Sequence, residues 1–149
     1  MNIAFFLTPK NEVVHEYIDS TMRQVMERME YHGYTAIPLI DKQGKYVGTL
    51  TEGDLLWKLK NTPDLNFRNT ECIRVKEIER KIKHKCVSIA SDIESLIKLA
   101  VSQNFVPVTD DNGIFIGIIK RSDIINYCYN EMDRIKELEI QKFSMYDEG

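Results

Sequence analysis

Apolar and polar positions along the chain follow two rhythms, helical and alternating, and the same order of rhythms occurs twice. Over residues 20–32 (STMRQVMERMEYH), Met22, Val25, Met26 and Met29 recur at helical spacing, with Ser20 where an N-cap is expected. Over residues 91–104, Ile93, Leu96, Ile97 and Ala100 repeat that spacing, and Ser91 and Glu94 stand at capping-box distance. Each helix is preceded by a short β-like segment, residues 13–18 and 86–89, and followed by a hairpin. In the first hairpin, strands over 36–40 and 46–50 flank the turn Asp41-Lys42-Gln43-Gly44. In the second, the turn Asp110-Asp111-Asn112-Gly113 precedes a strand over 115–119. A second helix follows each hairpin. Thr51 is the expected cap of the first, which carries Leu55, Leu56 and Leu59; Ser122 or Asp123 starts the second.

The resulting order, strand, helix, strand, strand, helix, is an internal repeat. Residues 34–56 and 103–125 align without a gap at an offset of 69. Pro38 matches Pro107, Asp41 matches Asp110, Gly44 matches Gly113, Gly48 matches Gly117, and Asp54 matches Asp123. The apolar positions agree as well, Ile37 with Val106, Leu50 with Ile119 and Leu55 with Ile124. A small sheet of this kind has one apolar face to cover, so the two copies are expected to pack on each other about a pseudo-twofold axis. The expected fold class is α+β, with small sheets flanked by helices. The expected division is a first domain over 1–62, a connecting loop over 63–74, a second domain over 75–130, and a helical or frayed tail over 131–149.

Composition narrows the function. Twenty Lys and Arg against 23 Asp and Glu give a formal charge of −3 in a 149-residue chain, which supplies no basic field for DNA or RNA. The basic stretch 81–85 is too short to change that. No run is long and apolar enough for a signal peptide or a membrane span. The three cysteines, Cys72, Cys86 and Cys128, contain no CxxC pair and read as reduced, mostly buried thiols of a cytoplasmic protein. The three histidines have no metal-ligand spacing, and GxxxxGK[ST], GxGxxG and GxSxG are all missing, so neither a metal site nor an enzyme is expected. Trp57 is expected to be a packing residue.

The stretch Gly48-Thr49-Leu50-Thr51-Glu52-Gly53-Asp54 resembles the Gly-x-x-Thr/Ser-x-x-Asp signature of cystathionine-β-synthase (CBS) domains, and Gly33-Tyr34-Thr35-Ala36-Ile37-Pro38 resembles the opening of their central strand. Gly117-Ile118-Ile119-Lys120-Arg121-Ser122-Asp123 repeats the signature with Lys120 in place of the hydroxyl residue. Two copies in register resemble a tandem CBS pair, or Bateman module, over roughly residues 5–130. The resemblance implies a non-catalytic regulatory module that binds an adenosine-containing ligand between the copies: cyclic di-AMP, AMP or ATP, with ADP and S-adenosylmethionine also in the class. GYTAIP resembles the first copy of a small bacterial subgroup that binds cyclic di-AMP.

By that resemblance Asp54 holds ribose hydroxyls and Thr51 lies beside ribose or phosphate, roles that compete or coexist with plain helix capping. Gly48 permits close approach. Thr35, Ala36 and Pro38 form an adenine wall, and the backbone of Val14 reads the base edge. Cys86, Phe105 and Pro107 are the counterparts in the second copy. Asp123 keeps the ribose role there, while Lys120 and Arg121 offer positive charge to phosphate or are simply solvated. The first cleft, with both Thr51 and Asp54, is the expected preferred site. The family further implies a homodimer, to which the Met-rich 20–32 segment lends an apolar face, and a separate effector protein. A ligand-independent dimeric scaffold is the rival reading; a nucleotide-processing enzyme is a weaker one.

Overall fold

A computed structural model describes residues 2–147; Met1 of the expected first domain and Glu148 and Gly149 of the expected tail lie outside the described residues. Seven strands and four α-helices follow in the order β1 (Leu7–Pro9), β2 (Glu16–Tyr17), α1 (Met22–His32), β3 (Ala36–Ile40), β4 (Tyr46–Thr51), α2 (Glu52–Asn61), β5 (Val87–Ser88), α3 (Ile93–Ala100), β6 (Phe105–Thr109), β7 (Phe115–Lys120) and α4 (Arg121–Asp147). One sheet has the order β2-β3-β4 and the other β1-β7-β6-β5, so the class is α+β as expected.

Both hairpins form where the turn residues put them. Asp41 accepts hydrogen bonds from the Gln43 and Lys45 amides through Oδ1, and Asp110 does the same for Asn112 and Ile114. Gly44 and Gly113 follow at φ +83° and +81°, a conformation that a Cβ would penalise. The two turns then meet. The Tyr46 amide donates to the Gly113 carbonyl at 3.2 Å and the Phe115 amide to the Gly44 carbonyl at 2.9 Å, a reciprocal pair that lies on the pseudo-twofold axis. Beside it Ile40, Phe115 and Ile118 form an apolar cluster shared by the two halves. Phe115 is fully buried there, a contribution of roughly 2–3 kcal/mol to holding the halves together.

Each half has its own core, and each core takes in chain from the opposite repeat. Met22, Val25, Ile37 and Leu50 pack with Val75 and Ile78, which follow the connection. Leu96, Val106, Ile119 and Ile124 pack with Ile3, and β1 pairs antiparallel with β7, Leu7 opposite Ile119. Residues 3–9 therefore belong physically to the second half, although they precede the first repeat in sequence.

Several local expectations are corrected. Thr21, not Ser20, caps α1. Its hydroxyl accepts from the Gln24 amide while the Gln24 side chain accepts from the Thr21 amide, and the Ser20 hydroxyl instead donates to buried Glu16 at 2.7 Å. Asp92, not Ser91, caps α3 through the Ser95 amide. Met22 and Met29 face the core, so α1 does not offer the apolar face expected for a homodimer. Cys72 and Cys86 are exposed and Cys128 is half-buried, against the expectation of mostly buried thiols. Trp57 is 41% exposed with Lys60 over its ring, so it packs only partly. The tail continues α4 as a helix to Asp147.

Candidate functional site

The packing of the two hairpins leaves a cavity of about 310 Å³ between the halves. Thr35, Ala36 and Pro38 of β3 form one wall, with Tyr34 beside them; Phe105, Ile118 and Lys120 of β6 and β7 form the other, with Asn104 and Ser122. Thr8, Glu12, Val13 and Val14 close the end, because β1 crosses to the second sheet and the chain then returns past both walls. An apolar slot with a few polar groups at its rim is the ordinary form of a small-ligand site. The backbone amide and carbonyl of Val14 have no hydrogen-bond partner among the described residues, so an edge of free main chain faces the slot. Lys120 is exposed and takes no part in the ion pairs among the described residues, which leaves its charge available to an anion.

Six of the residues singled out from sequence thus meet here: Val14, Thr35, Ala36, Pro38, Phe105 and Lys120. Asp123 lies in the first turn of α4, one residue beyond Ser122, half-buried and with no hydrogen bond to its carboxylate among the described residues. Pro107 is buried in β6, and Cys86 is exposed on the connector before β5; neither lines the slot. Arg121 points elsewhere. Its Nε donates to the carbonyls of Ala100 at 2.8 Å and Gln103 at 3.1 Å, satisfying the open end of α3 instead of facing a phosphate. Although Cys86 is exposed as a residue, partial desolvation of its sulfur pushes the thiol above its ordinary pKa, so the structure does not activate it as a nucleophile.

The pseudo-symmetric position around Gly48, Thr51 and Asp54 is occupied by the chain itself. Thr51 and Asp54 form a capping box. The Thr51 hydroxyl accepts from the Asp54 amide, and Asp54 Oδ2 accepts from the Thr51 amide at 2.9 Å. Oδ1 of the same carboxylate accepts from the Lys81 amide at 3.0 Å, and the side chain is only 3% exposed. Next to it the Arg80 guanidinium donates to the Val47 carbonyl and lies over Gly48 so closely that a Cβ there would overlap it. Gly117, the partner of Gly48 in the repeat, is crowded in the same place by the Thr8 carbonyl of β1. Buried Gln103 fixes the rest of the connector, accepting from the Lys85 amide and donating to the Lys85 carbonyl. Gly48, Thr51 and Asp54 therefore sit together, but not on the open slot.

Sequence reasoning missed Thr8, Glu12, Val13, Tyr34, Asn104, Ile118 and Ser122 as slot residues. Asn104 and Ile118 are repeat counterparts of Thr35 and Thr49, so the offset of 69 gave a usable signal for them. Thr8 and Glu12 had none, since only the crossing of β1 brings them in. Among the described residues no cluster of three His, Cys, Asp or Glu side chains is arranged to hold a metal, and no helix is long and apolar enough to cross a membrane.

Comparison with known proteins agrees with this architecture. An uncharacterised protein of Methanopyrus kandleri is 24% identical over 138 residues; the match takes in 90% of this chain, which spans 66% of that relative's length. A crystal structure of CbpB in complex with c-di-AMP superposes with a TM-score of 0.79 at 22% identity, covering 92% of this chain and 90% of that one. CBSX2 in complex with AMP superposes with a TM-score of 0.69 at 20% identity, covering 88% and 98%. The family model described as CBS domain matches twice, over residues 7–61 and 75–130, each match taking in one copy of the repeat. The chain belongs to the CBS domain family, as a tandem pair.

Proposed function

We propose that this protein is a non-catalytic regulatory module that binds one adenine nucleotide in the slot between its two CBS domains. The observation that carries the reading is the slot itself: both repeats build it, its walls are largely apolar, and at its ends stand the Val14 main chain and Lys120, neither of them paired among the described residues. The adenine lies between Ala36 and Pro38 on one side and Phe105 on the other, with its edge read by the Val14 backbone. Asp123 accepts from the ribose hydroxyls, because its carboxylate is not engaged in capping. Lys120 meets the phosphate, helped by the Thr8 and Ser122 hydroxyls and by the amides at the start of α4.

A volume of about 310 Å³ is at the small end for ligand pockets, and suits one nucleotide unit. AMP, or the AMP half of a larger ligand such as ATP or cyclic di-AMP, fits this description. The c-di-AMP and AMP named with the structural neighbours support the class of ligand. In this reading the module works in the cytoplasm. Binding tightens the two halves around the slot, and a separate effector protein reads the change by its different affinity for the two states.

The test is calorimetry of the full chain with cyclic di-AMP, AMP, ADP, ATP and S-adenosylmethionine, repeated with Lys120→Ala and Asp123→Ala. Each substitution removes a charge-assisted contact and should weaken binding about tenfold to a hundredfold. Arg121→Lys serves as a control that leaves affinity unchanged. A protein that binds none of the five ligands would remove the proposal, and the scaffold reading would take its place.

A further inference from the structure

The charged residues that line the slot are Glu12 and Lys120, and neither takes part in an ion pair among the described residues. The register of β1 on β7 puts them at opposite ends. Leu7 stands opposite Ile119, Thr8 opposite Ile118 and Pro9 opposite Gly117, after which the chain forms a 3-10 turn over Lys10–Glu12. The Lys10 ammonium lies 3.8 Å from where a Cβ on Gly44 would stand, so this turn sits at the hairpin end of the slot. Lys120 is the last residue of β7, at the start of α4. Roughly 10 Å of strand separates it from the place where the 3-10 turn leaves the sheet. Glu12 is two residues before Val14, and the chain between them is held on both sides. The Val13 amide donates to the Lys10 carbonyl at 3.1 Å, and the Val13 carbonyl accepts from His15 Nδ1 at 3.0 Å. The Val13 side chain packs on the shared cluster of Ile40, Phe115 and Ile118. The free main chain of Val14 and the exposed carboxylate of Glu12 therefore belong to one anchored end of the slot.

We propose that Glu12 is the residue by which the slot selects a 6-amino purine over a 6-oxo purine and sets the direction in which the nucleotide lies. The inference rests on the nucleotide reading of the slot and names the group of the base that is read. An adenine edge carries an acceptor at N1 and two N–H donors on its 6-amino group. The Val14 amide and carbonyl match N1 and one of those donors, and the second donor is left over. An ionised carboxylate accepts but does not donate, so Glu12 takes that donor and has nothing to offer an oxygen. Hypoxanthine and guanine put a carbonyl oxygen at position 6 and a hydrogen on N1. Their oxygen meets the Glu12 carboxylate with no hydrogen between them, at the cost of the carboxylate's hydration. The walls add nothing to this choice, because Ala36, Pro38 and Phe105 offer apolar contact to ring faces that both classes share. Direction follows from the same two charges. A nucleotide turned end for end would bring its phosphate to Glu12 and its base to Lys120.

Calorimetry of the full chain with AMP, IMP and adenosine tests it, with melting curves to confirm that variants are folded. Wild type should bind AMP about a hundredfold more tightly than IMP. Glu12→Gln keeps the shape of the side chain but can donate as well as accept. It should weaken AMP severalfold, tighten IMP, and lower the ratio of the two about tenfold; the Val14 main chain accounts for the preference that remains. Lys120→Ala should weaken AMP about tenfold and leave the AMP-to-IMP ratio where it was, since it acts at the other end. With adenosine, which has no phosphate, Glu12→Gln should still weaken binding and Lys120→Ala should not. An AMP-to-IMP ratio unchanged in Glu12→Gln, or tighter AMP binding in that variant, would overturn the inference while the nucleotide reading stands. A wild type that binds none of the three would overturn the inference outright, and the nucleotide reading with it if cyclic di-AMP and ATP fail too.

Discussion

Asp54→Ala separates two roles that a carboxylate at this position can have. In the structure the side chain is 3% exposed, and its oxygens accept from the Thr51 and Lys81 amides at 2.9 and 3.0 Å. Alanine leaves both donors without a partner and removes half of the capping box on α2. A hydrogen bond to a charged acceptor contributes about 1.5–3 kcal/mol. The Thr51 amide is partly enclosed and takes a value in that range, whereas the Lys81 amide lies on an exposed connector where water replaces most of the loss. The sum is about 2–4 kcal/mol, which for a chain of this size lowers the melting temperature by roughly 5–15 °C.

Two readouts check the reasoning. Thermal unfolding followed by circular dichroism gives the loss of stability. Limited trypsin digestion gives the local effect, since release of Lys81 should speed cleavage at Arg80, Lys81, Lys83 and Lys85 several-fold at temperatures where the fold persists. Nucleotide affinity, measured well below the melting temperature, should change less than threefold. A melting temperature lowered by under about 2 °C together with a tenfold loss of affinity would refute the capping assignment and place Asp54 on the ligand.

The remaining predictions rest on neighbouring contacts. Gly117→Ala should cost about 2–4 kcal/mol in urea denaturation, because the new Cβ meets the Thr8 backbone of β1; Gly48→Ala should cost under about 1 kcal/mol, because Arg80 can swing aside and lose only its bond to the Val47 carbonyl. Equal costs for the two would contradict the close approaches described. Burial pushes the Tyr46 hydroxyl up to about 12, so above pH 10 the unfolded chain loses this proton first, and the stability of wild type relative to Tyr46→Phe should fall by roughly 2 kcal/mol as pH rises from 10 to 12. A pH-independent difference between the two would show that the hydroxyl is solvated. Lys120→Thr should let Asp123 cap α4 as Asp54 caps α2, raising stability by about 1 kcal/mol and lowering nucleotide affinity at least tenfold; a variant with unchanged affinity would exclude Lys120 as the phosphate contact.

The hairpins were legible because their determinants are local. Asp and Gly at fixed turn positions, with apolar runs on either side, need nothing from the rest of the chain. The caps were displaced by one residue where a neighbour offered a better bond: Gln24 can answer Thr21 but not Ser20, and Glu16 from the adjoining strand claims the Ser20 hydroxyl. What could not be read locally was the placement of basic residues. Arg80 and Arg121 look alike in sequence to any solvated arginine, and which carbonyls they meet depends on tertiary packing. Arg121 lies close to the unpaired end of α3, and this contact claims the guanidinium that the sequence offered to phosphate. The crossing of β1 was hidden for the same reason, since Leu7 pairs with Ile119, a residue 112 positions away.

The difference between the two signature positions starts from one residue of the repeat. Thr51 can cap a helix and Lys120 cannot. With Thr51 present, Asp54 is drawn into the reciprocal box and its outer oxygen is taken by the connector, so the signature that looks most complete in sequence is also the one the chain fills by itself. With Lys120 present, Asp123 keeps its carboxylate free, and the position that would have held a cap holds a positive charge at the mouth of the slot. The crowding at the two repeat-related strand glycines has the same asymmetry. Over Gly117 lies main chain, which is part of a sheet and stays; over Gly48 lies a guanidinium on a flexible stem, which can leave. A pair of domains built on one pattern thereby has one signature beside an open slot and a second whose glycine and carboxylate are covered by Arg80 and the Lys81 amide of its own connector.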